Sequence, residues 1–283
     1  MNTYLMDSFS YYQHMLIPNC EPHEIPNLSC LNNGLIWGSY GLKAVICRYT
    51  TNYDVLGGGK NWYYVIKDTP FDISKLKSKR RYVVLQGERN FEIRLIHAED
   101  YKEELYSVVC DSLSAYPKKY RPVNPSKENF ISSLNSSSLK DRLYGAFYRD
   151  TGKLCGYAFI HIRKKVIDFS ILKTIPSFEK LQVNAALIYG ILLDCNDLLS
   201  SGFYICDGSK SVFHETNFQD YLEKYFAFRK AYVDLHIVYN PKYRFTFKVL
   251  YRLRFLFYKL DSIRLIHKLN AIFKMQECAI EKL

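Results

Sequence analysis

Hydrophobic and polar positions follow the most legible pattern in the middle of the chain. Phe91–Ile96 reads as a strand. His97-Ala98-Glu99-Asp100 then opens a helix to about Ala115, with Leu105, Val108, Val109 and Leu113 on one face. Its early acidic residues suit the positive end of a helix. Ser126 is placed to cap a short helix to about Leu134. Leu143–Tyr148, a turn at Asp150-Thr151-Gly152 and Leu154–Ile162 form a hairpin, and Val166–Leu172 is a third strand. Thr174-Ile175-Pro176-Ser177 interrupts the pattern before a long apolar helix to about Leu199, which Gly202 terminates. Phe203–Cys206 is a short buried strand ending at Asp207-Gly208. Asn217 can cap a helix with Phe218, Leu222, Tyr225 and Phe226 inward, and Tyr232–Tyr239 alternates as a last strand before Pro241.

The flanks are less regular. Residues 1–30 hold many turn formers and suggest an irregular arm with one short helix near Tyr11–Leu16. From Leu35 to Lys67 the pattern favours strands, at Lys43–Arg48 and Tyr63–Ile66, with Gly57-Gly58-Gly59 as a flexible turn. Phe71–Lys79 suggests a short helix or loop, and Arg81–Leu85 a strand. From about Arg244 the chain reads as helical. Leu250, Leu253, Phe257 and Leu260, then Leu265, Leu269 and Ile272, form its apolar face. The expected division is an N-terminal extension over 1–75, a core over 76–241 and a basic amphipathic tail over 242–283.

With 283 residues, one elaborated domain or two intimate subdomains are allowed, and 48% hydrophobic residues suffice for a packed core. The 25 Tyr and 18 Phe are read first as packing residues. No C-x-x-C pair occurs among the eight Cys, so zinc and thioredoxin-like chemistry have no local support and no metal is expected. Reduced thiols in a cytoplasmic protein are the default, because the N-terminal end lacks a basic-then-apolar signal pattern. The long apolar segments are interrupted by Asp, Asn, Lys or Arg, against a bilayer span. The net charge of +11 is concentrated from Lys242 onward, where 10 Lys+Arg face 3 Asp+Glu. Such a segment suits an anionic neighbour. Packing with a solvated basic face comes first, an anionic membrane surface next, with the protein peripheral at the inner face. Nucleic acid has no supporting motif.

The order strand, helix, hairpin, strand, long helix, short strand, helix, strand from Phe91 to Tyr239 resembles the GNAT acyl-CoA N-acyltransferase fold. More narrowly it resembles single-domain GNAT-like proteins related to the FemAB peptidyltransferases, which are often tied to envelope or exopolysaccharide assembly. The residues that carry it are Gly156-Tyr157-Ala158-Phe159-Ile160, the Val166–Leu172 strand feeding the long helix, Asp207-Gly208-Ser209, His214-Glu215-Thr216-Asn217-Phe218, Tyr225 and Phe228-Arg229-Lys230-Ala231-Tyr232. The resemblance implies an α/β (α+β) fold with a mixed, largely antiparallel twisted sheet flanked by helices. It implies an N-acyltransferase using acetyl-CoA or another acyl-CoA, or, as in FemAB relatives, aminoacyl-tRNA. The acceptor would be an amine on a small or lipid-linked amino sugar or envelope precursor.

The same resemblance implies that the donor is held around Leu172, Lys173, Thr174, Ser177, Phe178 and Lys180, before the long helix. That stretch lacks the Gly-rich loop of the family, and Pro176 removes one N–H. A helix N-terminus there still offers free N–H groups to an anion. The second reading is therefore a non-catalytic GNAT-like scaffold at a membrane. Acyl transfer needs a base for the amine, donors for the oxyanion and a proton for the leaving group. Asp207, His214 and Glu215 are the candidate bases, and Tyr225, with Tyr221 beside it, the candidate acid implied by the fold. Asp168 and Ser170, on one strand face, and Arg229 are candidate substrate contacts. Each has a plainer reading as a turn former, helix-end residue or packing residue. Gly57–Lys60 lacks the P-loop frame, since Asn61 follows Lys60.

Overall fold

The computed structural model describes residues 8–32, 34–40, 43–56, 59, 61–116, 121, 123–135, 141–212 and 217–283. Gly57 and Gly58 of the expected turn lie outside them. Contacts gather the chain into two compact units. The first is Met1–Tyr64, Ser209–Thr216 and Lys230–Leu283, and the second is Val65–Gly208 and Asn217–Arg229. Described residues from both flanks of the sequence thus share a unit.

The first unit opens with a hairpin, β1 (Phe9–Tyr12) and β2 (Met15–Pro18), in place of the short helix suggested near Tyr11–Leu16. Gln13 and His14 form its two-residue turn at φ 46° and 67°, the left-handed pair whose twist matches the flanking strands. After α1 (Ser29–Asn32), Leu35–Tyr40 is a helix, α2, rather than extended chain. The strands β3 (Ile46–Thr51) and β4 (Trp62–Lys67) fall where β formers cluster.

The second unit carries the element order expected of the GNAT-type fold. It runs α3 (Ser78–Asn90), β5 (Phe91–Leu95), α4 (Lys102–Ser114), α5 (Lys127–Leu134), the hairpin β6 (Arg142–Tyr148) and β7 (Leu154–Arg163), β8 (Val166–Thr174), α6 (Val183–Ser200), β9 (Tyr204–Ser209) and α7 (Phe218–Phe226). Strands lie in the order β9-β8-β7-β6-β5, antiparallel except for the parallel β8–β9 pair. β7 is apolar at nearly every position because helices cover both of its faces. Tyr157 and Phe159 join Leu105, Val108, Val109 and Leu113 of α4, while Gly156 lies under α6, where an added Cβ would sit 3.1 Å from Leu187. By length and composition α6 could cross a membrane, yet Val183, Leu187, Ile191, Cys195 and Leu199 are buried as in a core helix. Arg81–Leu85, read as a strand, belongs to α3. That helix packs so closely on α6 that a Cβ at Gly87 would lie 2.7 Å from the Gln182 oxygen and 2.9 Å from the Ala186 nitrogen. Tertiary contact outweighs the β-propensity of its valines.

β10 (Arg229–Tyr239) returns the chain to the first unit and pairs antiparallel with β3 from Asp234↔Thr51 to Tyr239↔Ile46. The strand order there is β1-β2-β3-β10-β4, with β2 and β3 parallel. The Asn240 side chain caps α8 (Pro241–Arg252), accepting from the Lys242 N–H, and α9 (Arg254–Tyr258) and α10 (Arg264–Cys278) follow. The tail is therefore three helices rather than one. Breaks at Leu253 and after Tyr258 reset the helical phase, so Leu253, Leu260 and Leu265, expected on the inner face, are exposed.

Candidate active site

β8 and β9 pair over three positions only: Val166↔Tyr204, Ile167↔Ile205 and Asp168↔Cys206. β8 continues to Thr174 and β9 to Ser209 without further pairing to each other, so a wedge opens beyond Asp168 and Cys206. Two local features drive the strands apart. On β8, Phe169 pairs with Ile160 and Ile171 with Phe159, which leaves Ser170 as the extra residue of a bulge that bends its strand. On β9, Gly208 takes φ +97° and has open space where a Cβ would stand. The bulge also changes the expected partnership of Asp168 and Ser170. Register gives the face of Asp168 and its partner His161 to Ile171, with Ser170 displaced and exposed.

Asp207 follows Cys206, the last β9 residue paired with β8. Burial, reinforced by the charge of Asp168, pushes its carboxyl up to about 7, while a hydrogen bond with the Gln219 side chain works the other way. Gln219 sits in the first turn of α7, so that helix delivers an amide onto the carboxylate. Asp168 is itself raised by burial, against the Arg163 guanidinium 3.3 Å away and the charge of His161. His161 stands directly opposite Asp168 on β7 and meets Asp141 at 2.9 Å. Asp141, His161, Arg163 and Asp168 thus gather on one face at the point where the strands part, while alternation along β9 turns Asp207, with Gln219, to the other face. A carboxyl titrating near neutrality beside a strand gap is suited to proton transfer.

On α7, Leu222 and Phe226 are buried as expected, but the Asn217 side chain makes no cap. Tyr221 is packed between Phe218, Tyr225 and Phe226, and burial raises its hydroxyl. Tyr225 is half-buried with the Lys224 ammonium 5.1 Å from its ring centre. His214 and Glu215 lie outside the described residues. Arg229 is taken by Asp68, which accepts from Nε at 3.0 Å and Nη2 at 2.5 Å.

The stretch before α6 does not form a phosphate cradle. Leu172 pairs with Ala158 inside the sheet, and the Thr174 hydroxyl donates to Asn184 at 3.0 Å. Phe178 packs against Phe91 and Tyr148. Pro176–Leu181 forms a 3-10 segment, Gln182 turns at φ 69°, and α6 begins only at Val183, with Gly87 of α3 against its first turn. Lys173, Ser177 and Lys180 remain at the surface, Lys173 bonded to the Tyr116 hydroxyl at 3.2 Å. These three could hold a donor phosphate, but as side chains and not through a glycine backbone.

Asp141, His161, Arg163 and Gln219 are the site residues that the sequence reading misses. The alternation of His161 and Arg163 along β7 was available as a signal. Gln219 offered none, since only the helix docking brings it to Asp207. All eight cysteines carry free thiols, and burial raises Cys195 to about 11 and Cys47 to about 12, far from nucleophilic thiolates.

No family profile and no curated protein matches the sequence. The chain is similar in structure to L-PGS from Bacillus licheniformis, with 12% identity over 82% of this chain and 79% of that one, at a TM-score of 0.49. It is also similar to a GCN5-related N-acetyltransferase-like protein from Streptococcus suis 89/1591, with 15% identity over 82% of each chain and a TM-score of 0.40. The PaiA N-acetyltransferase from Thermoplasma acidophilum, solved with coenzyme A, matches 39% of this chain and 72% of its own at 21% identity and a TM-score of 0.30. All three TM-scores are below 0.5, and none of these likenesses bears on the chemistry of the site.

Proposed function

We propose that the protein is an N-acyltransferase, moving an acyl or aminoacyl group from a thioester or aminoacyl-ester donor to an amine. The observation that carries this reading is the opening of the β8–β9 wedge beside Asp207, a carboxyl poised near 7. In this reading the donor carbonyl enters the wedge and its oxygen accepts from strand N–H groups left unpaired there. Ionised Asp207 takes a proton from the acceptor ammonium. The freed amine attacks the carbonyl carbon, the tetrahedral oxyanion collapses, and the bond to the thiol or hydroxyl leaving group breaks. A proton returns to that leaving group from Tyr225 or from Asp207 itself. Arg163 and His161 keep Asp168 charged, and Asp168 in turn keeps Asp207 basic. No covalent enzyme intermediate is needed, in keeping with the raised thiols of Cys47 and Cys195.

If the donor is a coenzyme A thioester, Lys173, Ser177 and Lys180 are the residues that would meet its phosphates. The missing glycine cradle equally suits aminoacyl-tRNA. Both donors are cytoplasmic pools, so we place the reaction there, on a small or lipid-linked amine such as an amino sugar or envelope precursor. Thr174 and Phe178, committed to packing, favour the second reading, a GNAT-like scaffold without a donor.

Calorimetric titration with acetyl-CoA and coenzyme A tests the thioester version. Mass-spectrometric screening of amines with thioester and aminoacyl-tRNA donors tests transfer itself. Acylated product that Asp207→Asn lowers by about 10²–10⁴ is expected. Absence of product with either donor, or an Asp207→Asn variant as active as the parent, leaves the scaffold reading in place.

A further inference from the structure

We infer that the outer face of residues 241–265 docks onto an anionic lipid surface. The segment is apolar on two sides. The inner side packs within its own unit: Phe247 meets Tyr239 at a centroid distance of 5.3 Å, and Tyr251 and Phe257 meet Phe273 of α10 at 5.7 and 6.0 Å. The outer side carries Phe245, Val249, Leu253 and Leu256, exposed by 78%, 44%, 41% and 46%, and none of the α8 residues is fully buried. Phe245, Val249 and Leu253 are spaced i, i+4, i+8, so they form one stripe along α8, and Leu256 of α9 adds to the exposed apolar surface beyond it. Leu260 and Ile263 extend the apolar surface past α9. A contiguous apolar surface of this kind on a folded protein marks something that covers it.

The charges indicate what covers it. Lys242, Lys248, Arg252, Lys259 and Arg264 are exposed, and among the described residues none of them lies within ion-pair distance of a carboxylate. Asp261, the one acidic residue in the segment, is taken by His267 at 2.9 Å and Asn270 at 2.7 Å, and Arg254 is paired with Glu277. At about 100° per residue, Arg252 and Lys248 border the apolar stripe along one edge, and Lys242 stands at its N-terminal end, one turn before Phe245. Long cationic side chains flanking a helical apolar stripe fit a bilayer surface, where the stripe enters the acyl boundary and the cations reach anionic headgroups. Nucleic acid would satisfy the cations but leave Phe245 and Leu256 in water. A second copy of this chain would cover the stripe but bring together two sets of unpaired cations.

The test uses the full chain with sedimented vesicles of phosphatidylcholine alone or mixed with phosphatidylglycerol, and needs no acyl donor, so it stands apart from the transferase reading. Binding to the anionic vesicles that weakens as salt rises is expected, with little binding to phosphatidylcholine. Phe245→Ser with Leu256→Ser, and Lys248→Glu with Arg252→Glu, should each lower it by about tenfold or more without changing the thermal melt. A Phe245→Trp variant should show a blue-shifted emission on anionic vesicles, a readout that survives if a double variant misfolds. No binding by the parent, no shift of the tryptophan, or loss of a light-scattering dimer in place of vesicle binding overturns the proposal.

Discussion

Asp168 occupies the last β8 position paired with β9, and Asp207 directly follows its partner Cys206, so two carboxylates stand where the strands separate. The charge of Asp168 adds to burial in raising Asp207 to about 7. Asp168→Asn should therefore lower the Asp207 pKa, by less than burial raises it. The acid limb of the pH–rate profile should move to lower pH by the same amount. A carboxyl titration followed by NMR checks this without a substrate, and an unmoved Asp207 would show that the pair is not coupled.

The same carboxyl sets a pH dependence of stability. In the unfolded chain Asp207 titrates near about 3.9, and in the fold at about 7. Between these values the folded protein holds a proton that the unfolded chain has released, so stability falls as pH rises through that window and is level outside it. Asparagine at 207 cannot ionise. Asp207→Asn should thus be more stable than the parent by roughly 1–3 kcal/mol at about pH 8 and nearly equal to it at about pH 4. Urea unfolding at the two pH values measures the difference, and equal stabilities at both would mean that Asp207 is not desolvated.

Both carboxylates were legible in the sequence because each sits at a strand position marked by local signals, Asp207 by the following glycine and Asp168 by the β8 pattern. The central order from β5 to β10 was legible for the same reason: its strands and helices are bounded by turns, caps and Gly202, which sequence displays directly. The features that sequence hides depend on partners distant in the chain. Gln219 reaches Asp207 only because α7 docks there, and Phe178 looks like a loop residue until Phe91 and Tyr148 surround it. The N-terminal hairpin was hidden differently, since its turn uses Gln13 and His14 at positive φ where glycine or asparagine would announce it.

Gly87 tests the largest of these tertiary overrides. The run containing Val83 and Val84 looks extended, yet α3 is a helix because it meets the first turn of α6 backbone to backbone. A Cβ at Gly87 would come within 2.7 Å of the Gln182 oxygen and 2.9 Å of the Ala186 nitrogen, and neither atom can rotate away. Gly87→Ala should destabilise the protein by about 1–3 kcal/mol, despite the better helix propensity of alanine. Gly38, with no atom within 4 Å of an added Cβ, is the control, and Gly38→Ala should not destabilise. Thermal or urea unfolding of the two variants separates steric closeness from propensity; a neutral Gly87→Ala would mean that α3 and α6 are not in close contact.

Arg229, a substrate-contact candidate from sequence, donates two hydrogen bonds to Asp68. The pair is partly exposed, with side-chain accessibilities of 44% and 34%, so solvent screening limits it to about 0.5–1 kcal/mol. Arg229 and its hydrogen bonds hold the Asp68 carboxyl below its ordinary range, although desolvation of that carboxyl pulls the other way. A depressed carboxyl contributes stability above its unfolded value of about 3.9, and that contribution disappears as pH falls through the folded value. Arg229→Ala and Asp68→Asn should therefore each lower stability by about 0.5–1 kcal/mol at neutral pH. Because both remove the same interaction, the double variant should lose little more than either single one, and the difference should vanish under strongly acidic conditions. If the losses add instead, the two residues act independently and Arg229 is not held by Asp68.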